Sequence, residues 1–214
     1  MTIKGIITGD IVNSTKIAAQ WREDMVNAIY SAVSDFAATT TVRVEMYRGD
    51  SFQVEVGDIR HVLTVALAIR TKLRAATPSS EKMWDARISI GIGEVTYETT
   101  SVVMCDGEAY RLSGRGLDRL GKRRLALSFP LARLNDAMGL VTRFADYIIS
   151  TMSSKQSAVV NQFLICKRKQ KEVAEILGLS QQNLQKLWTT SQGQLILEYI
   201  EFFKNIIEQN YTHL

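Results

Sequence analysis

Apolar positions along this chain change period several times, and each change marks an element. Residues 4–12 are apolar and β-branched and predict a buried strand. Residues 15–38 place Ile17, Trp21, Met25, Ala28, Ile29, Ala32, Val33 and Phe36 at helical spacing, with Ser14 or Thr15 as a cap. Two alternating runs, 41–47 and 51–56, flank Arg48-Gly49-Asp50, a short glycine-containing link that predicts a hairpin. Gly57-Asp58 breaks the second run, and 59–75 predicts a second helix closed by the loop Thr77-Pro78-Ser79-Ser80. ARISIGIGEV at 86–95 is a further β segment with small residues in it, continued irregularly over 96–104. Trp84 falls in the exposed-looking loop before it. Residues 107–120 predict a helix weakened by Gly114 and Gly116, and 124–129 predicts a last strand.

The order β-α-β-β-α-β predicts an α+β, ferredoxin-like domain, an antiparallel sheet with helices on one face. From Pro130 onward the pattern is helical throughout. Proline opens a helix without loss because its missing N–H is not needed there. The expected division is a sheet-bearing domain over 1–130, a connector helix over 131–152 of about six turns, and an all-α domain over 153–214.

Composition narrows the class. Of 214 residues, 46% are hydrophobic and 22% charged, as in soluble globular proteins. No stretch approaches the length of a membrane span, and no basic, then apolar, export signal opens the chain. Cys105 and Cys166 lie far apart without metal-type spacing, which fits a reduced, cytoplasmic protein. A formal charge of +4 and a pI near 9.1 are a mild basic bias, compatible with nucleic acid.

Two runs carry candidate chemistry. TGDIVNST puts Asp10 at the end of the first strand, and YRGDSF puts Asp50 at the hairpin tip. Two converging strand-edge carboxylates suit Mg²⁺ or Mn²⁺, hard ions that take one or two carboxylates plus phosphate oxygens. Backbone N–H groups around Gly9 and Gly49 are placed to help hold the phosphates. Aspartate is also common at turns for purely structural reasons.

With RGDSF, ISIGIGEV and GEAYRLSGR following DIVNST in order, residues 4–120 resemble the class III nucleotidyl cyclase domain. The resemblance implies metal binding by Asp10 and Asp50 and nucleotide contact by Arg111 and Arg115, which stand at the family's asparagine and arginine places. It also implies a homodimer. The purine-reading places hold Met46 and Met104 instead, which cannot make charged hydrogen bonds. A working purine cyclase is therefore not expected. What remains is binding of a nucleotide or other phosphate ligand, with Arg111 and Arg115 four apart on one helix face.

The last third reads KQKEVAEILGLSQQNLQKLWTTSQ over 169–192. Val173, Ile176 and Leu177 line one helix, Ala174 is small at a crossing, Gly178 breaks, and Ser180 caps a second helix with Leu184, Leu187 and Trp188 inside. This is helix-turn-helix spacing, similar to sigma-factor region 4 readers, and predicts double-stranded DNA as a partner. Ser180, Gln181, Gln182, Asn183, Gln185 and Lys186 would face bases or phosphates, and Lys167, Arg168 and Lys169 would supply backbone charge. The whole-chain order resembles the bacterial SatD family. The first expectation is a DNA-binding transcriptional regulator with a degenerate cyclase-like dimerisation domain. The competing one is a divergent metal-dependent nucleotidyl cyclase or nucleotidyltransferase.

Overall fold

The computed structural model describes residues 2–165 and 169–211. An antiparallel sheet is built from β1 (Thr2–Ile11), β2 (Val42–Tyr47), β3 (Ser51–Val56) and β4 (Ala86–Tyr97), in the order β2-β3-β1-β4. The outer edge of β4 carries β6 (Leu125–Ser128), in parallel, and the two-residue β5 (Asp106–Gly107). Helices α1 (Arg22–Ser34) and α2 (Val62–Ala76) cover one face, and α3 (Glu108–Asp118) covers the other. The expectation of helices on one face is thus corrected.

Strand alternation explains the two faces. Ile7, Ile11, Phe52, Val54, Val56, Ile88, Ile90 and Ile92 point into the large core with α1 and α2. On the opposite face the β4 positions beneath α3 are Ser89, Gly91 and Gly93, so α3 approaches closely. A Cβ on Gly91 would come 2.2 Å from the Ala109 carbonyl oxygen, so only glycine admits the helix there.

The predicted first helix is shorter than its pattern. Residues 14–16 and 19–21 form 3₁₀ turns, and α1 begins only at Arg22. Asn13 lies at φ 55° and Ala18 is extended, which breaks the run while Ile17 still reaches the core. Trp84 is 1% exposed rather than in solvent. Its backbone N–H donates to Thr77 Oγ1 at 2.9 Å, which draws the loop inward.

The C-terminal helices are α4 (Ala132–Thr151), α5 (Ser154–Ile165), α6 (Gln170–Ile176), α7 (Gln181–Thr190) and α8 (Gly193–Tyr211). The core under the sheet continues into α4, α5 and α8 through Met138, Ile149, Val160, Leu164, Ile200 and Phe203. α5 lies across α2, and Asn161 Nδ2 donates to the Ala68 carbonyl and Thr71 Oγ1, both at 3.0 Å. α2 is therefore covered on all sides. Among the described residues, no helix is long and apolar enough to cross a membrane.

A buried ion network holds this arrangement. Arg70 is fully buried on α2 and grips both Asp85 oxygens at 2.9 Å, while its third nitrogen reaches Asp146 on α4 at 2.8 Å. Arg74 donates to Asp85 at 2.9 Å and to the Ser150 carbonyl at 3.0 Å. The Arg124 backbone N–H donates to Asp146 at 2.9 Å. Burial pushes the Asp85 carboxyl up, but Arg70, Arg74 and Arg124 together outweigh it and hold it below its ordinary 3.8.

Asp85→Asn leaves these guanidinium groups buried without their anion. Loss of one partner from a buried pair costs about 3–5 kcal/mol, measurable by urea unfolding at pH 7. The native carboxylate's contribution is complete above its unfolded-state pKa and fades as pH falls through the lower folded value. The gap between wild type and variant should therefore narrow below about pH 4.

Candidate functional site

Asp10 and Asp50 meet at one end of the sheet because β1 runs out beside the hairpin tip. The Ile11 N–H donates to the Asp50 carbonyl at 2.9 Å, so the two backbones are neighbours. Arg48 and Gly49 at the tip have φ of 54° and 78°, and Gly49 is open to solvent. Glycine suits that left-handed position. Tyr47 senses both carboxylates. Burial raises its pKa first, Arg48 lowers it, and the charges of Asp10 and Asp50 raise it further.

Each carboxylate has its own internal partner. Asp10 faces Arg87 across the β1–β4 ladder, and Arg87 forks onto it, with Nε to Oδ1 at 2.8 Å and Nη2 on Oδ2. This is the bidentate arrangement that guanidinium and carboxylate favour. Asp50 accepts from Ser14 Oγ at 2.7 Å and from Ser51 Oγ at 3.3 Å. No group of three or more His, Cys, Asp or Glu side chains gathers for a metal among the described residues. The donor set as arranged does not fit a divalent cation, since a cation at Asp10 would have to displace Arg87.

Gly9 is explained by packing. A Cβ there would lie 2.4 Å from the Phe52 ring and 2.9 Å from the Arg87 carbonyl oxygen. Arg111 and Arg115 both sit on α3. Arg111 pairs with Asp106 at 3.0 Å, while Arg115 lines a cleft between α3, β6 and α4. Thr8 and Ser113 share a 2.8 Å hydrogen bond, so α3 covers the sheet face on which Thr8, and by alternation Asp10, point. Of the purine-reading replacements, Met46 packs against the core and Met104 is 66% exposed.

A second charged cluster on the α3 side was not anticipated from sequence. Glu55 is buried and accepts from Arg43 at 2.7 Å, Lys4 at 3.0 Å and the Tyr110 hydroxyl at 2.8 Å. Burial pushes its carboxyl up, and these three donors outweigh that and hold it below the usual range. No signal marked it: in SFQVEV the charge of Glu55 falls at a polar position of a regular alternation, and only the docking of α3 buries that face.

In the C-terminal part, α6 and α7 are joined by a tight turn with Gly178 at φ 62°. Ser180 Oγ accepts the Asn183 N–H at 3.2 Å and caps α7. Leu184 is buried against Val159, Val173 and Ala174, and Trp188 packs on Phe163 with ring centroids 4.5 Å apart and the ring planes tilted by 54°. Gln181, Gln182, Asn183, Gln185 and Lys186 are exposed on the outer side of α7, and Ser180 is exposed beside them. Lys169 precedes α6 and is exposed, whereas Lys167 and Arg168 lie outside the described residues.

No protein-family model and no curated protein sequence matches the chain. Solved structures show a distant likeness. A bacterial light-regulated adenylyl cyclase is 18% identical over 59% of this chain and 43% of its own, with a TM-score of 0.42. The catalytic core of a rhodopsin-guanylyl cyclase with converted specificity, in complex with ATPαS, is 14% identical over 55% of this chain and 72% of its own, TM-score 0.42. The active GGEEF domain of a diguanylate cyclase from Vibrio cholerae is 16% identical over 59% of this chain and 83% of its own, TM-score 0.41. This chain thus spans less than half the length of the first. The chemistry of the site rests on its own residues.

Removing the Arg87 fork should expose the Asp10 carboxylate to solution. Arg87→Gln is expected to gain stabilisation by millimolar Mg²⁺ in thermal unfolding, where wild type shows little. Equal responses in the two proteins would show that Arg87 does not govern cation access.

Proposed function

We propose that the chain is a DNA-binding regulator that works as a homodimer and carries a phosphate-ligand site in its sheet-bearing half. The carrying observation is α7. Its buried side docks on α5 and α6, and its solvent side presents glutamines, an asparagine and a lysine, cleanly separated. Gln and Asn side chains match adenine edges in the major groove, and Lys matches phosphate or guanine. The turn at Gly178 and the Ser180 cap support reading α6 and α7 as a helix-turn-helix.

Catalysis is not part of the proposal. The Arg87 fork on Asp10 and the methionines Met46 and Met104 both speak against turnover of a purine nucleotide. Arg115, with no acidic partner among the described residues, favours a bound phosphate ligand, whereas Arg111 is paired with Asp106.

Fluorescence anisotropy against duplex DNA tests the reading. Lys186→Ala should weaken binding to all sequences and flatten the salt dependence by about one ion. Gln182→Ala should relax sequence preference, a change worth about 1–3 kcal/mol at one base pair. Duplex binding insensitive to both substitutions would overturn the proposal.

The homodimer has a surface that suits it. Phe144, Leu195 and Phe202 flank a groove between α4 and α8, with Leu140 and Tyr147 one turn either side of Phe144. Their exposures are 61, 49, 41, 53 and 71% in that order. Since an aromatic side chain offers roughly 150–250 Å², the patch is on the order of 500 Å². A standard interface takes about 800 Å² from each partner, roughly 65% of it apolar in homodimers. A second copy meeting this patch across a two-fold axis fits that requirement. Phe144→Asp should convert a dimer to a monomer in sedimentation equilibrium, with unchanged circular dichroism. A monomeric wild type at about 100 µM, well above ordinary micromolar affinities, would refute the pairing.

A further inference from the structure

The α3–β6–α4 cleft has a volume of about 390 Å³. Arg115, Arg119 and Arg123 line it. Arg115 is on the last turn of α3, Arg119 caps that helix four residues on, and Arg123 follows the turn at Gly121, where φ is 61°. In the same stretch Arg111 pairs with Asp106 and Arg124 with Asp85. The three cleft arginines have no acidic partner among the described residues. Like charges gathered around a small concavity repel, and an anion placed between them relieves the repulsion.

Behind the Gly116 wall the packing is tight. The Ser89 hydroxyl is fully buried and has no hydrogen-bond partner, an uncommon state for a buried polar group. It lies against Gly116, where an added Cβ would come 2.1 Å from Ser89 Oγ and 3.3 Å from Ser128 Oγ. Gly116 and Ser128 both line the cleft. Glycine thus lets α3 close onto β4 over Ser89, while the hydroxyls of Ser128 and Thr142 are among the groups that line the cleft itself. Leu127 and Phe129 add an apolar wall.

We propose that this cleft binds a small organic phosphate, its phosphoryl group held by Arg115, Arg119 and Arg123 and its body resting on Leu127 and Phe129. The volume sits at the small end of ligand pockets, the size of a mononucleotide or less. This names the place and class of the phosphate ligand and rests on that part of the preceding reading alone, so its failure leaves DNA recognition standing. It also gives the ligand a lever. α4 forms one wall of the cleft, and the same helix carries Asp146 into the Arg70 network. A ligand drawing α3 and α4 together would act directly on the joint between sheet and C-terminal helices.

Isothermal titration and thermal unfolding of the full chain provide the test, with inorganic phosphate, pyrophosphate, AMP and adenosine as probes. AMP or pyrophosphate should stabilise the protein, and adenosine should not. An Arg119→Ala/Arg123→Ala double variant should bind at least tenfold more weakly, with duplex DNA affinity unchanged. Arg22→Ala, on α1 across the sheet, removes one exposed charge elsewhere and should bind as wild type does. The two exposed substitutions leave the core intact, which circular dichroism verifies. Absence of stabilisation by any phosphate probe would overturn the proposal. So would an equal loss in Arg22→Ala, which would signify general charge screening, or a loss of DNA binding in the double variant, which would assign the arginines to the DNA backbone.

Discussion

The Arg70–Asp85 pair is the joint on which the architecture turns. Both groups are removed from water, which is tolerable only because every oxygen of Asp85 meets a guanidinium and Arg70 finds a second carboxylate on α4. The network joins α2, the start of β4, the start of β6 and α4. A buried ionic cluster of this kind contributes geometry more than net stability, because wrong packings would leave a charge unpaired. It explains how helices that follow the sheet in sequence become part of its core.

That docking changes how the two candidate sites relate. α5 packs on α2 and also contributes Val159 to the small core beneath α7. α4 supplies a wall of the arginine cleft and an acid of the ion network. The path from the arginine cleft to the exposed face of α7 therefore runs through packed side chains and ion pairs, the kind of material that carries coupling between distant sites.

At the aspartate end, the structure separates position from availability. Strand pairing brings Asp10 and Asp50 to one end of the sheet, and the same pairing sets Arg87 directly opposite Asp10. A carboxylate held in a fork is already neutralised, so the charge free to meet a ligand lies with the unpaired arginines around α3.

Much of the fold was legible because it depends on local pattern. The apolar, β-branched run IKGIIT, the alternation in SFQVEV, the Gly49 hairpin, the Pro130 break and the Gly178–Ser180 turn all act over a few residues. One further local signal lies in α2, where VLTVALAI is almost wholly apolar around the helix, the mark of a helix covered on every side. Partners distant along the chain were not legible, since Arg70 with Asp146, Arg87 with Asp10, and Ser89 with Gly116 meet only after the sheet has closed. Sequence by itself determined the elements, their order and which residues carry charge, because those follow from short-range periodicity and side-chain type. Tertiary structure alone decided which charges are spent on each other and which stay free, because that depends on distances between residues far apart in the chain.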